Sequence, residues 1–221
     1  MKPTTSDVVG FGYTLGWLFS KVGAGYTGVY MTETNTAAPL GQGMQGRFVE
    51  PSTVATHFHL REGDIVADFG AGSGYFMEAL AKLVGPEGTV YACEIQKDLV
   101  EKLGGIARSK GLSQVRPVWS DVEDLGGSKV PEGVLDAAVV VNTFFQFEAK
   151  ATALQEISRT LRSGGKLFII DWSESFAGLG PQPECVVSQD SAKALAEQEG
   201  FVFERSFDTG DHHYGLAFRK V

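Results

Sequence analysis

From Arg47 onward the apolar residues follow two alternating rhythms: short unbroken runs, and stretches in which they return every three or four positions. The runs over Asp64–Phe69, Thr89–Cys93, Val115–Val118, Leu135–Val141 and Lys166–Ile170 predict strands covered on both faces. Between them, Tyr75–Leu83 (YFMEALAKL), Gln96–Lys110 and Lys150–Leu161 predict helices packed on a sheet. In Gln96–Lys110 the stripe is Leu99 and Leu103, four apart, with Ile106 beyond. Pro51–Leu60 predicts a short helix, with Pro51 at its first position and Val54, Ala55 and Phe58 facing inward. Strands that alternate with helices in this way form an open, mostly parallel sheet, so the expected fold class is α/β, three-layered and doubly wound. Near the end the rhythm changes. Ser188–Glu199 predicts a helix behind a serine cap, and Phe201–Phe207 and Tyr214–Lys220 predict strands joined by DTGDHH, a hairpin that brings an antiparallel strand to the sheet edge.

The first 46 residues read differently, and nine of the 28 glycines lie there. Phe11, Leu15, Leu18, Phe19 and Val22 share a helical face, which Gly10, Gly12 and Gly16 weaken. Residues 23–46 hold no period of either kind and read as a loop or arm. The expected organisation is therefore a Gly/Thr-rich arm, 1–46, before one domain, 47–221. The arm is open to three roles: a packed cover, a pocket wall or a partner contact. No strand precedes the Gly10–Gly16 cluster, so it is not a phosphate loop.

A chain of 221 residues with 43% hydrophobic side chains can bury a core without metals or disulfides as staples. Its formal charge of −8 argues against a broad nucleic-acid groove. Cys93 and Cys185 suggest neither a disulfide framework nor a zinc cluster, and a reducing, cytoplasmic setting is expected. The longest nearly uncharged stretch, Val8–Ser20, is too short to span a bilayer and no signal peptide is recognisable, so a soluble protein is expected.

The most informative segment is VADFGAGSGYF, Val66–Phe76, where a strand ends near Asp68 and Gly70, Gly72 and Gly74 turn the chain tightly into a helix. The spacing is GxGxG, and the third glycine of a dinucleotide fingerprint would fall on Tyr75. Glu94 follows the second strand, where a carboxylate can accept hydrogen bonds from vicinal ribose hydroxyls across the carboxyl edge of the sheet. A ribose-containing ligand is expected.

These residues resemble the class I S-adenosylmethionine-dependent methyltransferases. VADFGAGSGYF is similar to their first motif, YACEI to the acidic second, SDVEDL to the third, and LRSGGKLFIIDW to the segment around their fifth strand. The resemblance covers about residues 48–221 and looks nearest to the small bacterial enzymes related to ubiquinone and menaquinone biosynthesis. It implies a seven-stranded sheet with the last strand antiparallel, and S-adenosyl-L-methionine as cofactor. It also implies that Asp68 faces the methionine amino group, that Gly70, Gly72 and the neighbouring Gly74 form the cofactor turn, and that Glu94 holds the ribose. Ile95 would pack on the adenine, Asp121 would meet its amino group and Val122 its ring nitrogen through the backbone. Asn142 and Thr143 stand where the family makes cofactor and acceptor contacts. Asp121 could instead cap a turn.

Methyl transfer needs an acceptor aligned behind the methyl carbon, so orientation can supply much of the catalysis. A general base would help with a hydroxyl or a protonated amine, and Asn142, Asp171 and His213 are the candidate catalytic residues, with His212 beside the last. Asp171 could equally cap a loop. No metal is expected, because His57 and His59 diverge on a helix and no carboxylate completes a set. NTFF, Asn142–Phe145, departs from the Asn-Pro-Pro-aromatic pattern of many methyltransferases that act on nucleobase or glutamine nitrogens. The expected acceptor is a small molecule or a protein side chain, with nucleic acid disfavoured and no integral membrane contact. The competing expectation is a catalytically inactive cofactor-binding or interaction module.

Overall fold

Strands with apolar residues on both faces need cover from two layers, and helices supply it on each side of a single sheet. The computed structural model describes residues 47, 49–176 and 180–221, together with the backbone of 20–21 and 26–27. In chain order the elements are α1 (Pro51–Val54), β1 (Ile65–Phe69), α2 (Met77–Val84), β2 (Thr89–Glu94), α3 (Lys97–Ser109), β3 (Val115–Trp119), β4 (Leu135–Val141), α4 (Lys150–Thr160), β5 (Leu161–Trp172), α5 (Gln189–Gln198), β6 (Phe201–Phe207) and β7 (His213–Lys220). Short 3-10 turns occupy Ala55–Phe58, Phe144–Gln146 and Pro183–Cys185.

The seven strands lie in the order β3-β2-β1-β4-β5-β7-β6, with β7 antiparallel to both of its neighbours. The order reverses at β1, whose partners are β2 and β4. A reversal of this kind opens a crevice at the carboxyl ends of the strands, the usual ligand position in doubly wound sheets. Ala67, Phe69, Val140, Leu167, Ile169 and Leu216 pack one face against α4 and α5. Val66, Val90, Ala92, Val139, Phe168 and Ile170 pack the other with Phe58, Leu80 and Leu103.

Three local expectations change. The helix expected over 51–60 splits into α1, capped by Glu50 through the amides of Ser52 and Thr53, and a 3-10 turn that ends where His59 takes a φ of 51°. The strand expected at 166–170 extends back to Leu161, which pairs with Leu135 across a register shift. The hairpin does not leave β7 at the edge. β7 lies between β5 and β6, with His213–Phe218 buried at every position, and the half-buried β6 is the edge. The helix expected within 11–22 and the arm to 46 lie outside the described residues, apart from a two-residue antiparallel ladder between Ser20–Lys21 and Tyr26–Thr27.

One carboxylate is fully enclosed on α4. The Glu156 side chain is 0% exposed and accepts hydrogen bonds from the Gly126 and Ser128 amides at 2.8 and 3.2 Å and from the Ser128 hydroxyl. Arg159, one turn along, donates to both its oxygens at 2.8 and 2.7 Å. Burial alone would raise the Glu156 pKa, but the bonds from Arg159, Ser128 and Gly126 outweigh it and bring the carboxyl down to about 2. The stabilisation is therefore complete above the ordinary carboxyl value and is lost as pH falls toward 2. Glu156→Ala leaves Arg159 and two amides without their acceptor and should cost about 3–5 kcal/mol in urea unfolding at pH 7. A loss below about 1 kcal/mol, the range of an exposed ion pair, would contradict this placement.

Candidate functional site

The crevice is built from the ends of β1, β2, β3 and β4. After Phe69 the chain turns so that the Gly70 and Ala71 amides both donate to the Cys93 carbonyl at 2.9 Å, locking the glycine loop to the end of β2. Gly70 has a φ of +81°, and a Cβ there would lie 2.4 Å from the Thr143 methyl, so only glycine lets β1 and β4 approach. Gly72 is the opposite case. Its φ is +54°, yet a Cβ would meet nothing nearer than the Gly70 carbonyl at 3.9 Å, so the loop presents bare backbone to open space. Gly74 turns the chain onto α2, with Leu103 packed against it.

Glu94 is the joint of this arrangement. It is 6% exposed, and its two oxygens accept from the Gly72 and Gln96 amides, each at 2.9 Å. Each carboxylate oxygen keeps a second lone pair, directed by these bonds, for a further donor. Asp68 lies nearby at 3% exposure, with no ion pair among the described residues. Burial, with the Glu94 charge adding to it, pushes the Asp68 pKa up to about 7.

The β3 side supplies apolar walls. Ile95 is 55% exposed, an apolar side chain left at the rim, and its carbonyl accepts from the Trp119 indole at 2.8 Å. Val122 is buried in the loop after β3, and the Asp121 carboxylate accepts from the Glu123 amide at 2.9 Å in a local turn. Asp121 is exposed, so capping the turn with Oδ1 does not use up its acceptors.

The candidates for acceptor chemistry sit farther along the edge and do not form one cluster. Asn142 ends β4 with a φ of 53°, and its Oδ1 is buried without a hydrogen-bond partner among the described residues. A non-glycine residue held in that region costs of order 1 kcal/mol or more, a strain that commonly marks functional positions. The Asp171 oxygens accept from the Phe145 amide at 2.7 Å and the Trp172 amide at 2.8 Å. Its pKa rises to about 7 because burial outweighs those two bonds and the Lys150 charge. Asp171 thus fastens the 3-10 turn after β4 to the end of β5. His213 pairs with Trp172 across β5 and β7 while Asp171 pairs with Tyr214, so His213 and Asp171 face opposite sides of the sheet. Both His213 ring nitrogens are buried without hydrogen-bond partners among the described residues, its ring lies 4.1 Å from that of Trp172, and burial, then His212, lowers its pKa to about 4. His212 bonds Glu174 at 2.8 Å and stacks on Phe176.

A family model described as "Methyltransferase domain" matches residues 60–210, a span that holds the glycine loop, Glu94, Asp121, Asn142 and Asp171 and ends before His212 and His213. The chain belongs to the methyltransferase-domain family. Among curated relatives it is 31% identical over 125 residues to a ubiquinone/menaquinone biosynthesis C-methyltransferase of Chromobacterium violaceum, a match over 55% of this chain and 48% of that protein. It is 35% identical over 95 residues to a protein-L-isoaspartate O-methyltransferase of Ignicoccus hospitalis, over 42% of this chain and 44% of that one. This methyltransferase-family chain thus spans about half the length of the curated relatives it matches. A solved structure of a SAM-dependent methyltransferase from Aquifex aeolicus superposes with a TM-score of 0.73 at 28% identity, covering 79% of this chain and 91% of that one.

S-adenosylmethionine fits the residues present. Its ammonium would answer a buried carboxyl that has no cationic partner among the described residues, its ribose hydroxyls would answer the spare lone pairs of Glu94, and the open face of Gly72 would admit its bulk. Several residues of the site carry no motif signal. Trp119 ends β3 and Glu123 lies within SDVEDL, but neither is given a role by the resemblance, while Glu156 and Arg159 could have been noticed as a carboxylate and a guanidinium three apart on a helix.

The raised Asp68 pKa gives a signed prediction. Between the ordinary value of 3.8 and about 7 the folded protein holds a proton that the unfolded chain has released, so this group lowers stability as pH rises through that window. An ammonium beside it favours the ionised form. The affinity for S-adenosylhomocysteine should therefore rise about tenfold from pH 6 to pH 8 and stay flat in Asp68→Asn, as measured by calorimetry in buffers matched for ionic strength. An unchanged slope in Asp68→Asn would show that another group sets it.

Proposed function

We propose that this chain transfers the methyl group of S-adenosylmethionine to a small molecule held at the carboxyl ends of β4 and β5 and the amino end of β7. The observation that carries the reading is Glu94 tied to Gly72 beside a buried Asp68 at the reversal of strand order. Asp68 receives the ammonium, Gly70, Gly72 and Gly74 shape the loop against which the ligand lies, and Glu94 receives the ribose. Ile95 and Val122 cover the adenine, with Asp121 toward its amino group. The cofactor supplies an electrophilic methyl on a sulfonium, so the protein needs no nucleophile of its own. Its work is to align the acceptor and exclude water.

Asn142 fits the acceptor side because its side-chain Oδ1 is buried without a partner among the described residues and its backbone is held in a strained conformation. His213 stays neutral at physiological pH, and a pKa lowered to about 4 makes it a weak base, so its part is that of an uncharged ring at the acceptor end rather than of a strong proton acceptor. Asp171 positions the loop after β4, since its oxygens accept the Phe145 and Trp172 amides. Trp172, Phe145 and Phe176 make this end of the crevice partly aromatic, a lining suited to an acceptor with an apolar body. Among the described residues no helix is long and apolar enough to cross a membrane. Action in the cytoplasm on a diffusible small molecule is part of the proposal, and a protein side chain is the second acceptor class.

Calorimetry with S-adenosylhomocysteine, and with NAD as control, tests the cofactor reading. Micromolar binding of the first, weakened at least about tenfold by Glu94→Ala, is the expected result, corresponding to about 1.4 kcal/mol. Tight binding of NAD alone would overturn it. Transfer of labelled methyl groups into fractionated cell extract tests catalysis, with label expected in the small-molecule pool. Binding without label in any pool would favour the inactive module.

A further inference from the structure

The loop after β3 and the loop after β4 are bolted to one helix. On the first, the Asp121 amide donates to the Gly127 carbonyl at 3.1 Å and the Gly127 amide to Asp124 at 2.8 Å, closing a compact turn around Val122. A Cβ at Gly127 would lie 2.4 Å from the Asp121 carbonyl, so the turn is packed to backbone contact. Glu156, inside α4, takes the Gly126 and Ser128 amides, and Arg159 reaches on to the Val130 carbonyl at 2.8 Å. The second loop, Asn142–Ala149, runs directly into the start of α4. Gln146 donates to the Asn142 carbonyl at 3.0 Å, Lys150 donates to the Phe147 carbonyl, and Asp171 holds the Phe145 amide.

One side chain crosses between the two loops. The Glu123 carboxylate, from the turn that carries Asp121 and Val122, accepts the Ala149 amide at the N-cap of α4. The helix has no other side-chain cap there. Negative charge at a helix N-terminus is favoured by the unpaired amides and the dipole, so the bond is electrostatically reinforced. The glutamate is itself oriented by its neighbour, because its own amide is held by Asp121 at 2.9 Å. Any ligand that contacts Asp121 or Val122 thus acts on the group that caps the acceptor-side loop.

We propose that Glu123 is a positioning residue that couples the occupied adenine end of the crevice to the order of the acceptor-side loop, Asn142–Ala149. The coupling rests on the adenine reading of Asp121 and Val122. When that turn is filled, Asp121 and Glu123 are fixed together, the cap on Ala149 is held, and Asn142 and Phe145 are presented in one arrangement. When it is empty the cap is free to exchange with water. Glu123 reaches the reaction only through the loop it caps.

The test is amide hydrogen exchange of the full chain with and without saturating S-adenosylhomocysteine, in wild type, Glu123→Ala and Glu123→Gln, with calorimetry on each. In the wild type, exchange should slow about tenfold over both 121–128 and 144–149, a size typical of coupling between linked sites. Glu123→Ala should keep ligand binding and protection of 121–128 while losing ligand-induced protection of 144–149. Glu123→Gln retains an oxygen acceptor and should restore most of it, a rescue that general loosening of the fold would not give. Protection of 144–149 in Glu123→Ala equal to that of the wild type would overturn the coupling. If 121–128 gains no protection in the wild type although the ligand binds, the adenine reading fails, and the coupling with it.

Discussion

Everything at the crevice depends on a carboxylate that bridges two strand ends. Parallel pairing of β1 with β2 brings Phe69 level with Cys93, so that the next residues, Gly70 and Glu94, face each other across the carboxyl edge. Glu94 then takes an amide from each side, Gly72 and Gln96, and the Cys93 carbonyl takes two more. A glycine loop without these bonds would have many conformations and no preferred face. With them it has one, and its open side lies beside the acid that is to hold a ribose.

The consequences spread outward through hydrogen bonds rather than through packing alone. The loop's fixed shape brings Gly70 against Thr143, and so sets the distance between β1 and the end of β4, where Asn142 is held in its left-handed conformation. Asp171 continues the chain of contacts to β5, and Glu123 and Glu156 tie the β3 loop to α4. The electrostatic outcome is consistent along the edge. Burial raises Asp68 and Asp171 to about 7 and lowers His213 to about 4, so each of the three is held toward its uncharged form.

The sheet and its crevice could be read in the sequence because their signals are local. An apolar run, three glycines at alternate positions and an acid one strand later all fall within about 30 residues, and each constrains backbone near its own position. The tasks of Asp171 and Glu156 could not be read that way, since their partners lie 26 to 30 residues distant and the bonds go to backbone amides that leave no mark in the sequence. The break of the 51–60 helix depends on tertiary packing, with Phe58 lying 4.6 Å from Phe168 on β5. The order within the hairpin, β7 inside and β6 at the edge, is a matter of which strand pairs with β5, a long-range choice that local patterning does not record. Candidate bases chosen by proximity to strand ends proved to face opposite sides of the sheet, a distinction set by register.

The central claim is that the carboxylate bridging Gly72 and Gln96 also receives the ribose of S-adenosylmethionine. A crystal structure of the full chain with S-adenosylhomocysteine tests it most directly. The account predicts both ribose hydroxyls within hydrogen-bond distance of Glu94, the amino group at Asp68 and the adenine between Ile95 and Val122. A ligand bound elsewhere, or bound with its ribose turned away from Glu94, would contradict it.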